Sequence, residues 1–241
     1  MIHSTAKWAM PISLRAIVFD VDGTLYEAGP VRRKMITRLA REILRNPISG
    51  WELASFIRAF RRAQEDLRGA PQKINLREEQ LRIACVRANL PRSEAQKLLD
   101  VWFEETPLNA VAQYVRPGLH QFLTMAAQRG MRLGVLSDYP ASKKLEAIGI
   151  SKYFHSVLHS QQPEINEFKP SPKGLLITLK ALGVTPDQAL YIGDRPDIDA
   201  VAALRAGVSA VIVGMPLRKS GDGWIGVPSF TELQRLILLR T

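Results

Sequence analysis

The chain has 241 residues, 46% of them hydrophobic, and Lys and Arg outnumber Asp and Glu 33 to 23, giving a net charge of +10. That length holds one large α/β domain or a core with an inserted module, and the apolar content is enough for a sizeable core. No apolar stretch reaches the ~20 residues needed to span a membrane, and the single Cys85 rules out an internal disulfide, which fits a reducing, cytoplasmic setting.

Residues 1–13 contain Lys7 but no continuous apolar block or cleavage pattern, so they are expected to be a tail and not a signal peptide. The run Ala16-Ile17-Val18-Phe19 then reads as a short, fully buried parallel strand. Directly after it stands Asp20-Val21-Asp22-Gly23-Thr24-Leu25. In open α/β sheets, ligands bind beyond the carboxyl ends of such strands. Carboxylates are seldom buried there unless paired or bound to metal. An Asp-rich turn alone would be ordinary chain-turning chemistry; the weight comes from the polar residues at the ends of later strands.

Residues 27–113 show helical periodicity and almost no strand signal. Ile36, Leu39, Ala40, Ile43 and Leu44 share one face of a first helix, and Leu53, Phe56, Ile57, Phe60 and Leu67 one face of a second. Asn75-Leu76-Arg77-Glu78 and Ser93-Glu94-Ala95-Gln96 read as capping boxes opening a third and a fourth. Leu98, Leu99, Trp102 and Phe103 form the last apolar face. Cys85 falls within this pattern as a packed thiol. Pro107 and Arg116-Pro117-Gly118 mark the return to a core that spans 14–26 and 114–241.

The core continues with a helix at Leu119–Gln128 stopped by Gly130, and a strand, Leu133–Leu136, ending at Ser137-Asp138. A short helix, Lys143–Ile148, precedes a strand at Ser156–His159. Phe168-Lys169-Pro170-Ser171-Pro172 is a fixed loop, with Ser171-Pro172 as N-cap and first helical residue of a helix ending at Leu182. The strand Ala189–Gly193 ends at Asp194, with Asp197 and Asp199 close behind. A helix Asp199–Ala206, a strand Ala210–Val213 and a helix Phe230–Leu239 complete the chain. Strands alternating with helices specify a doubly wound parallel sheet, here with an inserted all-helical module.

The ordered set Asp20/Asp22, Ser137, Lys169 and Asp194/Asp199 resembles the haloacid dehalogenase-like (HAD) hydrolase superfamily, and the flanks of Lys169 and Asp194 are similar to its phosphoglycolate phosphatase-like branch. The resemblance implies a Rossmann-like core, a helical cap domain at 27–113, and magnesium as cofactor. It implies Asp20 as nucleophile forming an aspartyl-phosphate, and Asp22 as general acid and then base. Asp20, Asp22 (through its backbone carbonyl), Asp194 and Asp199 would serve the metal, with Asp199 either a ligand or an orienting group. Ser137 would donate to a phosphoryl oxygen, Lys169 would offset negative charge, and Gly23, Thr24 and Asp138 would line the phosphate site. Electrostatics points the same way, because Asp20, Asp22 and Asp194 cannot all be ionised close together without a cation.

Charge lies outside these motifs: residues 27–77 hold twelve basic side chains against five acidic ones. Most read as the solvated face of amphipathic helices, with a minority steering an anionic substrate. Trp51, Phe56 and Phe60 fall mostly on the apolar face, which does not favour nucleic-acid binding. The four histidines show no metal-ligand spacing. The expected function is hydrolysis of a small phosphorylated metabolite. A phosphomutase would share the motifs; a dehalogenase needs no proton donor such as Asp22; a basic interaction protein on the same scaffold would not need the catalytic set.

Overall fold

The computed structural model describes residues 8–68, 75–217 and 219–237. The first apolar run forms β1 (Ala16–Phe19), fully buried along its length. Burial on both faces accounts for a strand without polar alternation: Ile17 and Phe19 enter one core layer, Ala16 and Val18 the other. The remaining strands are β2 (Arg132–Ser137), β3 (Ser156–His159), β4 (Ala189–Gly193), β5 (Ser209–Val213), β6 (Ser220–Gly221) and β7 (Trp224–Val227). They make one sheet in the order β3-β2-β1-β4-β5-β7-β6, parallel except for β6. β1 sits between β2 and β4, with Phe19 level with Val135 and Ile192. Those three strands therefore deliver the residues at their carboxyl ends to one edge of the sheet.

Between β1 and β2 the chain first forms α1 (Ala28–Arg45), α2 (Pro47–Asp66), α3 (Leu76–Ala88), α4 (Arg92–Leu99) and α5 (Leu108–Gln113). The neck of this insert is a pair of antiparallel segments: Tyr26 bridges Val115, Glu27 N–H donates to Tyr114 C=O at 2.8 Å, and Arg116 N–H to Leu25 C=O at 3.0 Å. Helix α6 (Leu119–Gln128) then leads into β2. The later helices are α7 (Ser142–Ile148), α8 (Lys173–Leu182), α9 (Val201–Arg205) and α10 (Phe230–Ile237).

Several expectations are corrected. The insert has a fifth helix, α5, and α4 passes into a turn of π-helix, Asp100–Glu105, that carries Trp102 and Phe103. The box at Asn75 caps α3, its side chain accepting from Glu78 N–H at 3.2 Å. The box at Ser93 does not form, because Ser93 already lies inside a helix that begins at Arg92 behind Pro91. The apolar stripe of α1 is only partly packed: Leu39 and Ile43 are half-buried, but Ile36 is 59% exposed and Leu44 83%. The insert's own core is Phe56, Ala59, Phe60, Leu81, Ala84, Ala95 and Leu99, built without α1. Instead of a helix from Asp199, a π-turn spans Pro196–Ala200 before α9. Helix α8 begins at Lys173, one residue late, although Ser171 Oγ does accept from Lys173 N–H at 3.3 Å. The hairpin β6–β7, absent from the expectations, is joined by the turn residues Asp222-Gly223. The tail's residues 1–7 and the end of the predicted last helix, Leu238 and Leu239, lie outside the described residues.

Candidate active site

Asp20 leaves β1 with its N–H bonded to Ile192 C=O at 2.8 Å, so the backbone of two adjacent strands fixes where its carboxylate starts. The chain then turns at once. Gly23 has φ +93°, and a Cβ there would stand 2.1 Å from Asp194 Oδ2, so only glycine fits between the two strand ends. The Arg116 guanidinium donates twice to Gly23 C=O, at 3.0 and 2.7 Å, holding that turn from the segment that follows the insert. Thr24 Oγ1 donates to Asp20 Oδ2 at 3.0 Å.

Lys169 reaches the same point from the loop before α8. Only 4% of its side chain is exposed, and its Nζ donates to Asp20 Oδ1 at 2.7 Å, to Asp199 Oδ1 at 2.6 Å and to the Tyr191 hydroxyl at 3.2 Å. Oxygens of Asp20, Asp194 and Asp199 all lie within 4.8 Å of one another. Asp199 also accepts from the Asp194 and Arg195 N–H groups, at 3.2 and 3.0 Å, which closes the π-turn around it. Asp197 is not part of this group. It faces solvent, paired with Arg195 at 2.8 Å.

The charges do not balance. Burial, with the charges of Asp199 and Asp194, drives the Asp20 carboxyl well above its usual range despite Lys169. Burial and Asp199 push Asp194 up to about 7. Burial opposes the charge on Lys169, but Asp199 and Asp20 outweigh it and raise its pKa well above normal. One ammonium, bonded to two of the three carboxylates, faces a cluster with more negative charge than it can balance.

Asp22 faces the other way. Its Oδ1 accepts from Lys144 Nζ at 2.5 Å and from the Tyr26 hydroxyl. Burial acts to raise its carboxyl, but Lys144 and Tyr26 hold it below the ordinary range. Asp22 and Lys144 line a cavity of about 550 Å³ between the insert and the sheet edge. Of the twelve basic residues counted between 27 and 77, Arg32, Arg61 and Arg77 line it; Lys73 lies outside the described residues.

Ser137 ends β2 buried, its Oγ accepting from Tyr139 N–H at 3.4 Å. Asp138 is fully engaged. It accepts from Gln64 at 2.9 Å and Arg68 at 2.8 Å, both on the insert, and from Ser160 at 3.2 Å and Lys169 N–H at 3.4 Å.

The family model of haloacid dehalogenase-like hydrolases matches residues 14–207, from just before β1 to just beyond α9. The chain belongs to the haloacid dehalogenase-like hydrolases. The hydrolase is 30% identical over 205 residues to a glyceraldehyde 3-phosphate phosphatase of Methanopyrus kandleri, covering 82% of this chain and 83% of that one. It is 27% identical over 212 residues to a phosphoglycolate phosphatase of Escherichia coli K12, covering 79% and 78%. Its fold matches the crystal structure of a 2-haloacid dehalogenase from Pseudomonas syringae with a TM-score of 0.66 at 22% identity, over 95% and 100% of the two chains.

Sequence reasoning located the strand-end residues of the hydrolase but passed over Lys144, Tyr26, Arg68, Gln64, Arg116 and Tyr191. Lys144 stood in a predicted helix as one of two adjacent lysines, and Arg68 among a dozen surface charges. Tyr26, four residues after Asp22, was the one with a usable signal: a polar-tipped ring in the turn beside the acid. Among the described residues, no helix is long and apolar enough to cross a membrane.

Proposed function

We propose that this hydrolase is a magnesium-dependent phosphatase that passes the phosphoryl group of a small phosphorylated metabolite first to Asp20 and then to water. The observation that carries this reading is the cluster of Asp20, Asp194 and Asp199, with Lys169 bonded to Asp20 and Asp199 and Asp22 set apart on the cavity side. The phosphatase names of the Methanopyrus and Escherichia relatives agree with it. An all-oxygen, carboxylate-rich donor set with surplus negative charge fits a hard dication. Asp20, Asp194 and Asp199, with the backbone carbonyl of Asp22, would hold magnesium, which neutralises phosphate charge and polarises its oxygens when bound.

In the first half-reaction an Asp20 oxygen forms a bond to phosphorus while the bond to the ester oxygen breaks, and Asp22 gives its proton to that departing oxygen. In the second, Asp22 takes a proton from water, the water oxygen bonds to phosphorus, and the Asp20–phosphorus bond breaks to release inorganic phosphate. Lys169 offsets the charge that Asp20 presents to an anion, and Ser137 donates to a phosphoryl oxygen. Gly23 and Thr24 hold the turn against the phosphate, with Asp138 fixing the loop after Ser137. The insert, residues 27–113, acts as the cap that covers the leaving group, joined to the core domain of residues 14–26 and 114–241. The setting is the cytoplasm, in keeping with a lone thiol, Cys85.

The test is release of inorganic phosphate from a panel of phosphorylated metabolites with magnesium and after chelation. Magnesium-dependent release from at least one of them is expected. No release from any substrate, including p-nitrophenyl phosphate, would overturn the reading.

A further inference from the structure

We infer that the ester group leaving from this site is bulky and apolar, larger than the glycolate and glyceraldehyde bodies named for the relatives; the inference rests on the phosphatase reading above. The cavity that opens from Asp22 holds about 550 Å³, well inside the ~300–1,000 Å³ of sites that enclose drug-sized ligands. A glycolate or glyceraldehyde group would leave most of it to water.

The walls say what kind of body belongs there. Ile36 and Leu39 of α1, Ile57 and Phe60 of α2, and Trp102 and Phe103 of the π-turn all face the cavity. Phe60 packs on Phe103 at 5.0 Å and on Tyr139 at 6.0 Å, so three rings stand together in its lining. The stripe on α1 is the decisive feature. An amphipathic helix turns its apolar face to a core, and α1 gives Val31 and Met35 to the core beside the sheet, yet the insert's core forms without α1 and Ile36 stays 59% exposed. Ile36 and Leu39 look into a space continuous with the proton donor of the proposed reaction. Large uncovered apolar surface of this kind marks a binding site, and the position of Asp22 limits its occupant to the group attached to the ester oxygen.

Charge does not argue for a second phosphate. Arg77 is turned to Glu104 at 3.8 Å, and Arg32 and Arg61, though in the lining, are exposed. The body between Asp22 and those arginines meets a mostly apolar wall, with Gln64, Glu65, Glu104 and Gln161 as its further polar members.

The experiment is a series of n-alkyl phosphates from ethyl to octyl, with phosphoglycolate and p-nitrophenyl phosphate alongside, all with magnesium. Burying a methylene is worth roughly a three- to fourfold gain, so kcat/KM is expected to rise by at least about 100-fold from ethyl to octyl. The Ile36→Asp variant changes an already exposed position, and circular dichroism will confirm that it folds. In it the octyl-to-ethyl ratio is expected to fall at least tenfold. A flat or falling series with phosphoglycolate preferred overturns the inference and leaves the phosphatase reading intact. An unchanged ratio in Ile36→Asp removes α1 as the wall and overturns it too. Release of phosphate from none of the compounds, p-nitrophenyl phosphate included, overturns both.

Discussion

Arg68, two residues past α2, and Asp138 immediately after β2 are joined by a 2.8 Å ion pair, with only 10% and 12% of the two side chains exposed. The same Nη1 donates to the backbone carbonyl of Lys169 at 2.8 Å. One guanidinium from the insert thus ties together the loop after Ser137 and the loop that carries Lys169. Gln64 to Asp138, Gln161 to Gln80 and Leu76 N–H to Asn166 run alongside it, and Arg68 spans both loops at once.

Truncating one partner of a buried pair leaves the other charge unpaired, which costs about 3–5 kcal/mol. Arg68→Ala should lose stability of that order in urea denaturation and at least tenfold in kcat. Arg68→Lys, which keeps the charge but not the fork that reaches two acceptors, should fall between. Wild-type kcat in Arg68→Ala would show that the Lys169 loop holds its place unaided.

Asp20→Asn should fold normally and lose essentially all turnover, because a neutral amide is a poor nucleophile. Asp22→Asn should slow both proton transfers, by roughly 10²–10⁴, and should let phosphoenzyme accumulate with an activated aryl phosphate. Intact mass after acid quench, with a phosphoryl adduct in Asp22→Asn and none in Asp20→Asn, checks the pair. An adduct in both would place the nucleophile elsewhere.

The raised carboxyl of Asp194 has a stability signature in the metal-free protein. Its pKa is about 7 when folded against 3.8 unfolded, so between those values the folded state binds the proton and the unfolded state does not. Its contribution to stability is therefore full below the unfolded value, falls as pH rises toward 7, and is level above. Asp194→Asn should flatten that slope. Magnesium, which competes with the proton, should raise the melting temperature more at pH 8 than at pH 5 in the wild type and much less in the variant. A melting temperature that responds equally to magnesium at both pH values would contradict this.

Lys144 lowers the pKa of the Asp22 carboxyl from the cavity side, which favours the base form used in the second half-reaction. Without that cation the Asp22 carboxyl rises, because burial is then less opposed. Lys144→Met should shift the acidic limb of the kcat–pH profile upward, since water attack on the phosphoenzyme needs Asp22 ionised. The shift in the limb, and not a uniform loss of rate, separates electrostatic positioning from simple damage to α7.

The strands that carry the site were legible because each is a continuous apolar run ending in a polar residue, a pattern that needs only local reading. Asp20, Lys169, Asp194 and Asp199 stand together where the sheet order puts those strand ends. The lost features are all tertiary. Periodicity groups Ile36 with Leu39 but cannot say whether that face meets a core or a cavity. Arg68 and Lys144 read as solvated charge until folding brings Asp138 and Asp22 to them. β7 is four residues long with Gly226 inside it, too short and too broken for an alternation signal. Asp22 and Asp20 look alike in sequence, and only the turn at Gly23 gives them opposite surroundings.

The ends of the sheet bear on how the protein behaves at high concentration. One edge is β6, two residues long and antiparallel to its neighbour, next to Lys219; the other is β3, four residues long. Long flat edges template the pairing of a second chain, and short charged ones do not. The aggregation-prone segments, the apolar β1, β4 and β5, are all interior strands with partners on both sides. Edge-to-edge association is therefore disfavoured at the β6 end of the folded protein, and pairing through β1, β4 or β5 must begin from chains that have already released the centre of the sheet.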